Sequence, residues 1–183
     1  KISEFFRDVT NVVLMLSGVA SAVVAIYAEE VVYLWTRDIE AAQWIGPVVF
    51  WYAIGSCVFA ANLLLFYLQT AYGDLKIHTI HGAFTLAIEV PLIALCALYF
   101  GAVGSGMAWL GINLFALFFW GALVFHRLKW DLFLSWIFFD VFKILCLAYG
   151  TVYLFSTFFR MSLETDLATL LFGIIFSGIL SLC

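Results

Sequence analysis

The stretch "AIEVPLIALCALYFGAVGSGMAWLGIN", Ala87 to Asn113, decides how this chain is read. It is apolar almost throughout, yet Glu89 and Pro91 sit near its start. Three glycines, Gly101, Gly104 and Gly106, interrupt its middle. Two apolar arms joined by a glycine turn are the pattern of a helical hairpin in lipid. Glu89 is the residue that such a setting should not tolerate without a reason.

The rest of the chain agrees with a lipid setting. Of its 183 residues, 66% are hydrophobic and 11% are charged, against roughly 25% charged in a soluble domain. Mean hydropathy is +1.13. A soluble core of this length cannot hide so much apolar surface, so the membrane class follows. A formal net charge of −4 leaves no basic stripe for phosphates, which excludes a nucleic-acid partner. Cys57, Cys96, Cys146 and Cys183 are scattered in apolar runs and read as packing residues. The chain starts at Lys1 and ends at Cys183 inside an apolar run, so it is expected to be a piece of a longer protein.

A spanning helix needs about 20 mostly apolar residues. Val9–Ala28, continuing to Trp35, supplies the first. Ala41–Gly73 supplies the second and Ile77–Phe100 the third. Gly101–Gly106 reads as a tight turn, then Met107–Phe125 makes the fourth. Leu132–Phe158 makes the fifth, and Leu167–Cys183 begins a sixth that stops short. Backbone groups in hydrocarbon must be satisfied within their own segment, and runs such as Val58–Leu68 show no period of two. The predicted fold is therefore all-α: a polytopic transmembrane bundle of six antiparallel helices. Residues 1–126 hold four of them and 127–183 two more. Lys1, Arg7, Lys76, Arg127 and Lys129 gather on one side, Arg37 and Arg160 on the other. That bias predicts a cytoplasmic start. Trp35, Trp44, Trp109 and Trp130 near helix ends suit interface anchors.

Polar residues inside the spans are the functional candidates. Glu89 lies about 18 Å along its helix from Ile77, near mid-membrane. A charge there must face protein or water. Pro91 removes a helical hydrogen bond and predicts a kink. His78, His81, Thr85 and Glu89 share one face at helical spacing. A water-filled cavity lined by that stripe would make Glu89 a site for a proton or cation. The alternative is a neutral Glu89 hydrogen-bonded between helices for structure alone. Asn62 and Gln69, with Gly55, lie on one face of the second helix, and Asn113 sits midway along the fourth. These amides read as interhelical glue or as cavity lining for a sugar or headgroup. Asp140 and Lys143 read as a local ion pair, with Lys143 alternatively a phosphate contact. Ser135 and Trp136, with Trp130, suggest that the fifth helix enters along the interface. No nucleophile–base set, P-loop, zinc spacing or paired haem histidines is visible, so no enzyme and no cofactor is predicted beyond a coupling proton or sodium ion.

The ordered set "VVYLWT", "LQTAYGD", "EVPLIALCALYFGAVGSGMAWLGIN" and "HRLKWDLFLSWIFFD" resembles the carboxyl-terminal half of polysaccharide flippases. These are the O-antigen-type members of the multidrug/oligosaccharidyl-lipid/polysaccharide exporter superfamily. Leu34 and Trp35 match the end of one helix; Gln69, Ala71 and Gly73 match the end of the next. Pro91, Tyr99, Gly101 and Gly104 match the proline-bearing helix and its turn, and Asn113, His126 and Arg127 the helix after it. The resemblance implies the last six of roughly fourteen helices, in a two-lobe transporter of the inner membrane. It implies alternating access and a lipid-linked oligosaccharide as partner, among membrane lipids. The family's substrate diphosphate would meet cationic cavity residues, and Lys143 is the one such residue at depth here. Two other readings stay beside it: a drug/cation antiporter of the same superfamily, and a non-transporting membrane scaffold subunit.

Overall fold

The computed structural model describes residues 2–128 and 133–162, with side chains through residue 157. All regular structure among the described residues is helical. Helix α1 runs Ile2–Ile26, α2 Ala28–Thr36 and α3 Ile39–Tyr72. The next helical run, Lys76–Leu128, has 53 residues, but Gly101 inside it stands at φ 69°, ψ −164°. Only glycine takes that conformation without strain. Phe84 lies 6.3 Å from Phe115 and 5.7 Å from Trp120 between ring centroids, and His81 lies 5.0 Å from Trp120. Residues 17–20 positions before Gly101 therefore meet residues 14–19 positions after it, so the chain folds back there. Residues 76–100 form α4, residues 102–128 form α5 and residues 133–162 form α6.

Four helical runs are long and apolar enough to cross a membrane. The reversal at Gly101 turns the third into two crossings, so the described residues carry five spans where the sequence predicts six. The predicted sixth, at 167–183, lies outside the described residues. The turn is also tighter than expected, because Gly101 alone leaves helical geometry; Gly104 is already in α5, against the Cys96 carbonyl and the Phe100 side chain.

The first span does not continue unbroken to Trp35. Tyr27, at φ −108°, ψ 30°, separates α1 from α2. It still donates to the Val23 carbonyl at 3.0 Å and accepts from the Val31 amide at 2.8 Å, so the break is a bend. Arg37 ends α2 in the left-handed region at φ 58°. Asp38 then caps α3, its carboxylate accepting from the Glu40 and Ala41 amides at 2.9 and 3.3 Å.

Helix α3 is the centre of the bundle, packed against α1, α2 and α5. It runs antiparallel to α1: the Ser21 hydroxyl donates to the Ala53 carbonyl at 2.8 Å, and Gly18 lies near Cys57. It runs parallel to α5, with Gly106 beside Trp51, Trp109 on Gly55 and Gly121 near Leu65. Gly55 is needed there, since a Cβ would overlap the Trp109 indole. Helix α6 runs parallel to α1, with Arg7 on Asp140 and Trp136 on Thr10 towards one end and Gly18 beside Ala148 and Ser21 on Tyr149 towards the other. Between these helices lies one core that includes Leu14, Leu64, Leu117, Phe125, Trp136 and Ile137. Apolar side chains gain nothing by leaving lipid for protein, so close van der Waals fit is what holds such a core. Trp136 is buried in it, and Trp130, also part of the expected interfacial entry, lies outside the described residues.

Helix α4 differs from the others. It lies on the outside, and Glu89 is the one residue of it that is buried.

Candidate functional site

Glu89 reaches its position through a local irregularity. Pro91 has no N–H to donate to the Ala87 carbonyl. The turn before it opens into a π-helical segment, Thr85–Glu89, in which the Val90 amide reaches back to the Thr85 carbonyl. The expected kink is thus taken up as one widened turn, a device common at functional sites. Ala116–Trp120 in α5, across the hairpin from it, is π-helical as well. Glu89 is left 8% exposed on an otherwise exposed helix.

Its nearest ionisable neighbour is on its own helix. His81 Nε2 stands 3.8 Å from Glu89 Oε1, beyond hydrogen-bond length but within ion-pair reach. The His81 ring packs on Trp120, while the His78 ring packs on Phe66 at 4.5 Å. The Thr85 hydroxyl donates to the His81 carbonyl at 3.0 Å, so its polar end is held by its own helix.

A cavity of about 130 Å³ opens between α3, α4 and α5. Its polar walls are Asn62, Gln69, His78, His81 and Trp120, with Phe59 and Phe66 among the apolar ones. The predicted stripe therefore divides: His78 and His81 border this space, whereas Thr85 and Glu89 lie beyond its walls. Asn62 Nδ2 donates to the Asn113 carbonyl at 3.0 Å and sits 3.4 Å from Asn113 Oδ1. Asn113 Nδ2 donates to the Trp109 carbonyl at 2.8 Å, and Gln69 Nε2 to the Leu65 carbonyl at 3.2 Å. Each amide thus spends its donor end on backbone. The buried acceptors Asn62 Oδ1 and Gln69 Oε1 make no hydrogen bond within the described residues, nor do His81 Nε2 and Trp120 Nε1.

The structure thus brings Asn62, Gln69, His81 and Asn113 together, with Glu89 beside His81. It leaves Lys143 exposed on α6. The expected Asp140–Lys143 ion pair is not formed. Asp140 instead accepts from Arg7 Nε and Nη2 at 2.7 and 2.9 Å, a two-pronged pair that suits a planar guanidinium better than an ammonium. At the same end of the bundle Arg127 donates to Asp74 at 2.9 Å. Trp120 and Arg7 are the residues that sequence reasoning missed. The spacing of seven between Asn113 and Trp120 is a signal that could have placed the indole on the polar face; Arg7 carried none beyond its charge. Among the described residues no three His, Cys, Asp or Glu side chains gather as a metal site.

Comparison of the chain with family models, with curated proteins and with solved structures gives no match.

Proposed function

We propose that this chain is part of a membrane transporter, a flippase that exports lipid-linked oligosaccharide across the inner membrane by alternating access. Its first span starts on the cytoplasmic side. The observation that carries the proposal is Glu89: a carboxyl buried midway along an outlying span, 3.8 Å from an imidazole that borders the cavity between α3, α4 and α5. Ionisable groups at such depth mark pathways by default, because a purely structural role is met more cheaply by neutral residues. The ordered sequence resemblance supplies the substrate class. The pair Glu89–His81 is suited to take up and release a coupling proton or cation as α4 moves.

The test uses the full-length protein in inverted vesicles, following a fluorescent lipid-linked oligosaccharide. Glu89→Gln keeps the shape of the side chain and removes its charge. Normal abundance in the membrane with export abolished or uncoupled is the expected result. Export at the parental rate from that variant would refute the coupling role.

One observation favours the scaffold reading: the amide donors of Asn62, Gln69 and Asn113 are all satisfied within or between α3 and α5. In a scaffold, thiol reagents would not reach cysteines placed at Thr85 or Glu89. In a transporter they react, and react faster with substrate turning over.

A further inference from the structure

We infer that His81 and Glu89 form a proton-sharing pair, and that the species bound there is a proton and not a metal cation. As the coupling ion of export, the proton rests on the proposed transport function; as the species the pair binds, it does not. His81 Nε2 is buried and makes no hydrogen bond within the described residues, and it stands 3.8 Å from Glu89 Oε1. Glu89 is 8% exposed, so its carboxyl is as sheltered as the imidazole nitrogen. An imidazole nitrogen and a carboxyl oxygen that face one another are donor and acceptor for one proton.

The surroundings add no further charge. α3 carries no Asp, Glu, His, Lys or Arg between Glu40 and Asp74, and residues 102–125 of α5 carry none. The ring that meets His81 from α5 is that of Trp120, which does not titrate. Within α4 the other charge-bearing side chains are Lys76 and His78, both in its first turn and exposed, with the His78 ring on Phe66. One proton between Glu89 and His81 leaves the pair net neutral in either position: imidazolium with carboxylate, or imidazole with carboxylic acid. Net charge is what a bilayer interior penalises. Transfer breaks the Nε2–H bond, forms the Oε1–H bond and leaves both groups uncharged. The atoms must close by about 1 Å from 3.8 Å to reach hydrogen-bond length.

A hard metal cation needs a larger donor set, about six oxygen ligands. Here one carboxylate meets one nitrogen. The Thr85 hydroxyl is turned to the His81 carbonyl at 3.0 Å, and the Thr85 carbonyl accepts from the Val90 amide. Among the described residues no third His, Cys, Asp or Glu joins the pair.

The experiment is infrared difference spectroscopy of the full-length protein in nanodiscs, taken between acid and alkaline pH. It reads the carbonyl stretch of protonated carboxyl groups. One band of the parental spectrum should vanish in Glu89→Gln and return, displaced, in Glu89→Asp, which keeps a carboxyl. In His81→Gln the same band should move in position and in titration midpoint. It should be identical in sodium chloride and in choline chloride. A spectrum unchanged by Glu89→Gln, a band indifferent to His81→Gln, or a band that sodium removes overturns the pair. Export from vesicles separates this result from the transport function. Export that needs a sodium gradient and ignores a pH gradient overturns the proton as coupling ion. No export under any gradient, with the sodium-insensitive band present, would sink the transporter and support the proton pair.

Discussion

Arg7 and Asp140, 133 residues apart in the chain, close a two-pronged ion pair that fastens the start of α1 to α6. The Asp140 side chain is 6% exposed and the Arg7 side chain 40%. The carboxylate has been taken out of water and the guanidinium has not, so the two partners are not equivalent. Removing Arg7 strands a buried charge; removing the charge of Asp140 lets Arg7 turn to solvent. Arg7→Gln should therefore destabilise the fold by about 3 kcal/mol, the low end of the penalty for breaking a buried pair. Asp140→Asn should cost less, and the double variant should recover part of the Arg7→Gln loss. Lys143→Gln should be neutral. Reversible unfolding in mixed micelles measures all four, and equal losses for Lys143→Gln and Arg7→Gln would contradict this geometry.

The hydroxyl of Thr10 is shared in the same region. It donates to the Phe6 carbonyl at 2.8 Å and accepts from Trp136 Nε1 at 3.1 Å. Thr10 is fully buried, so nothing replaces it. Thr10→Val keeps the volume and leaves the indole N–H without a partner, at a cost of about 1–3 kcal/mol. Trp136→Phe in the Thr10→Val background removes the orphaned donor, so the two losses should sum to more than the double variant shows. Strict additivity in that cycle would mean that the bond contributes nothing.

Gly101 makes the α4–α5 hairpin. At φ 69°, ψ −164°, any side chain is strained by about 1–3 kcal/mol. Nothing lies within contact distance of a Cβ there, so the cost is one of backbone conformation and not of collision. Gly101→Ala and Gly101→Leu should thus be about equally damaging. Both should weaken cross-linking between cysteines placed at Phe84 and Phe115, whose rings now stand 6.3 Å apart. A steep dependence on side-chain size would show that crowding, not backbone conformation, is the limit.

These relationships were not equally legible. Lipid leaves each backbone group only its own helix for hydrogen bonding, so length and composition placed the spans well. The glycine pattern gave the reversal at Gly101 but overstated its length, because Gly104 and Gly106 serve close packing in α5. The break at Tyr27 carries no glycine or proline, and no local signal announces it. A sequence displays i, i+3 neighbours, so it pairs Asp140 with Lys143; Arg7 reaches Asp140 only because α1 and α6 pack together. Spacing leaves the amides of Asn62 and Asn113 as glue or as cavity lining; Asn62 bonds the Asn113 carbonyl and also borders the cavity, so both readings stay open. That Glu89 would be buried while the cavity stops at His81 depended on the widened turn, which a proline suggests but does not locate.

The bond between Asn62 and Asn113 separates the two tasks assigned to these amides. Asn62 Nδ2 donates to the Asn113 backbone carbonyl at 3.0 Å, a contact that survives any change of the Asn113 side chain. Asn113 Nδ2 in turn donates to the Trp109 carbonyl within its own helix. The direct link between α3 and α5 therefore rests mainly on the side chain at 62. Asn62→Leu should weaken the bundle by about 0.6–2 kcal/mol, the range of interhelical hydrogen bonds in lipid. Asn113→Leu should cost less through lost bonding, since α3 keeps its hold on the backbone oxygen. Unfolding of the two single variants side by side measures the difference. A larger loss for Asn113→Leu would place the hold in the 3.4 Å contact between the two side chains and not in the backbone carbonyl.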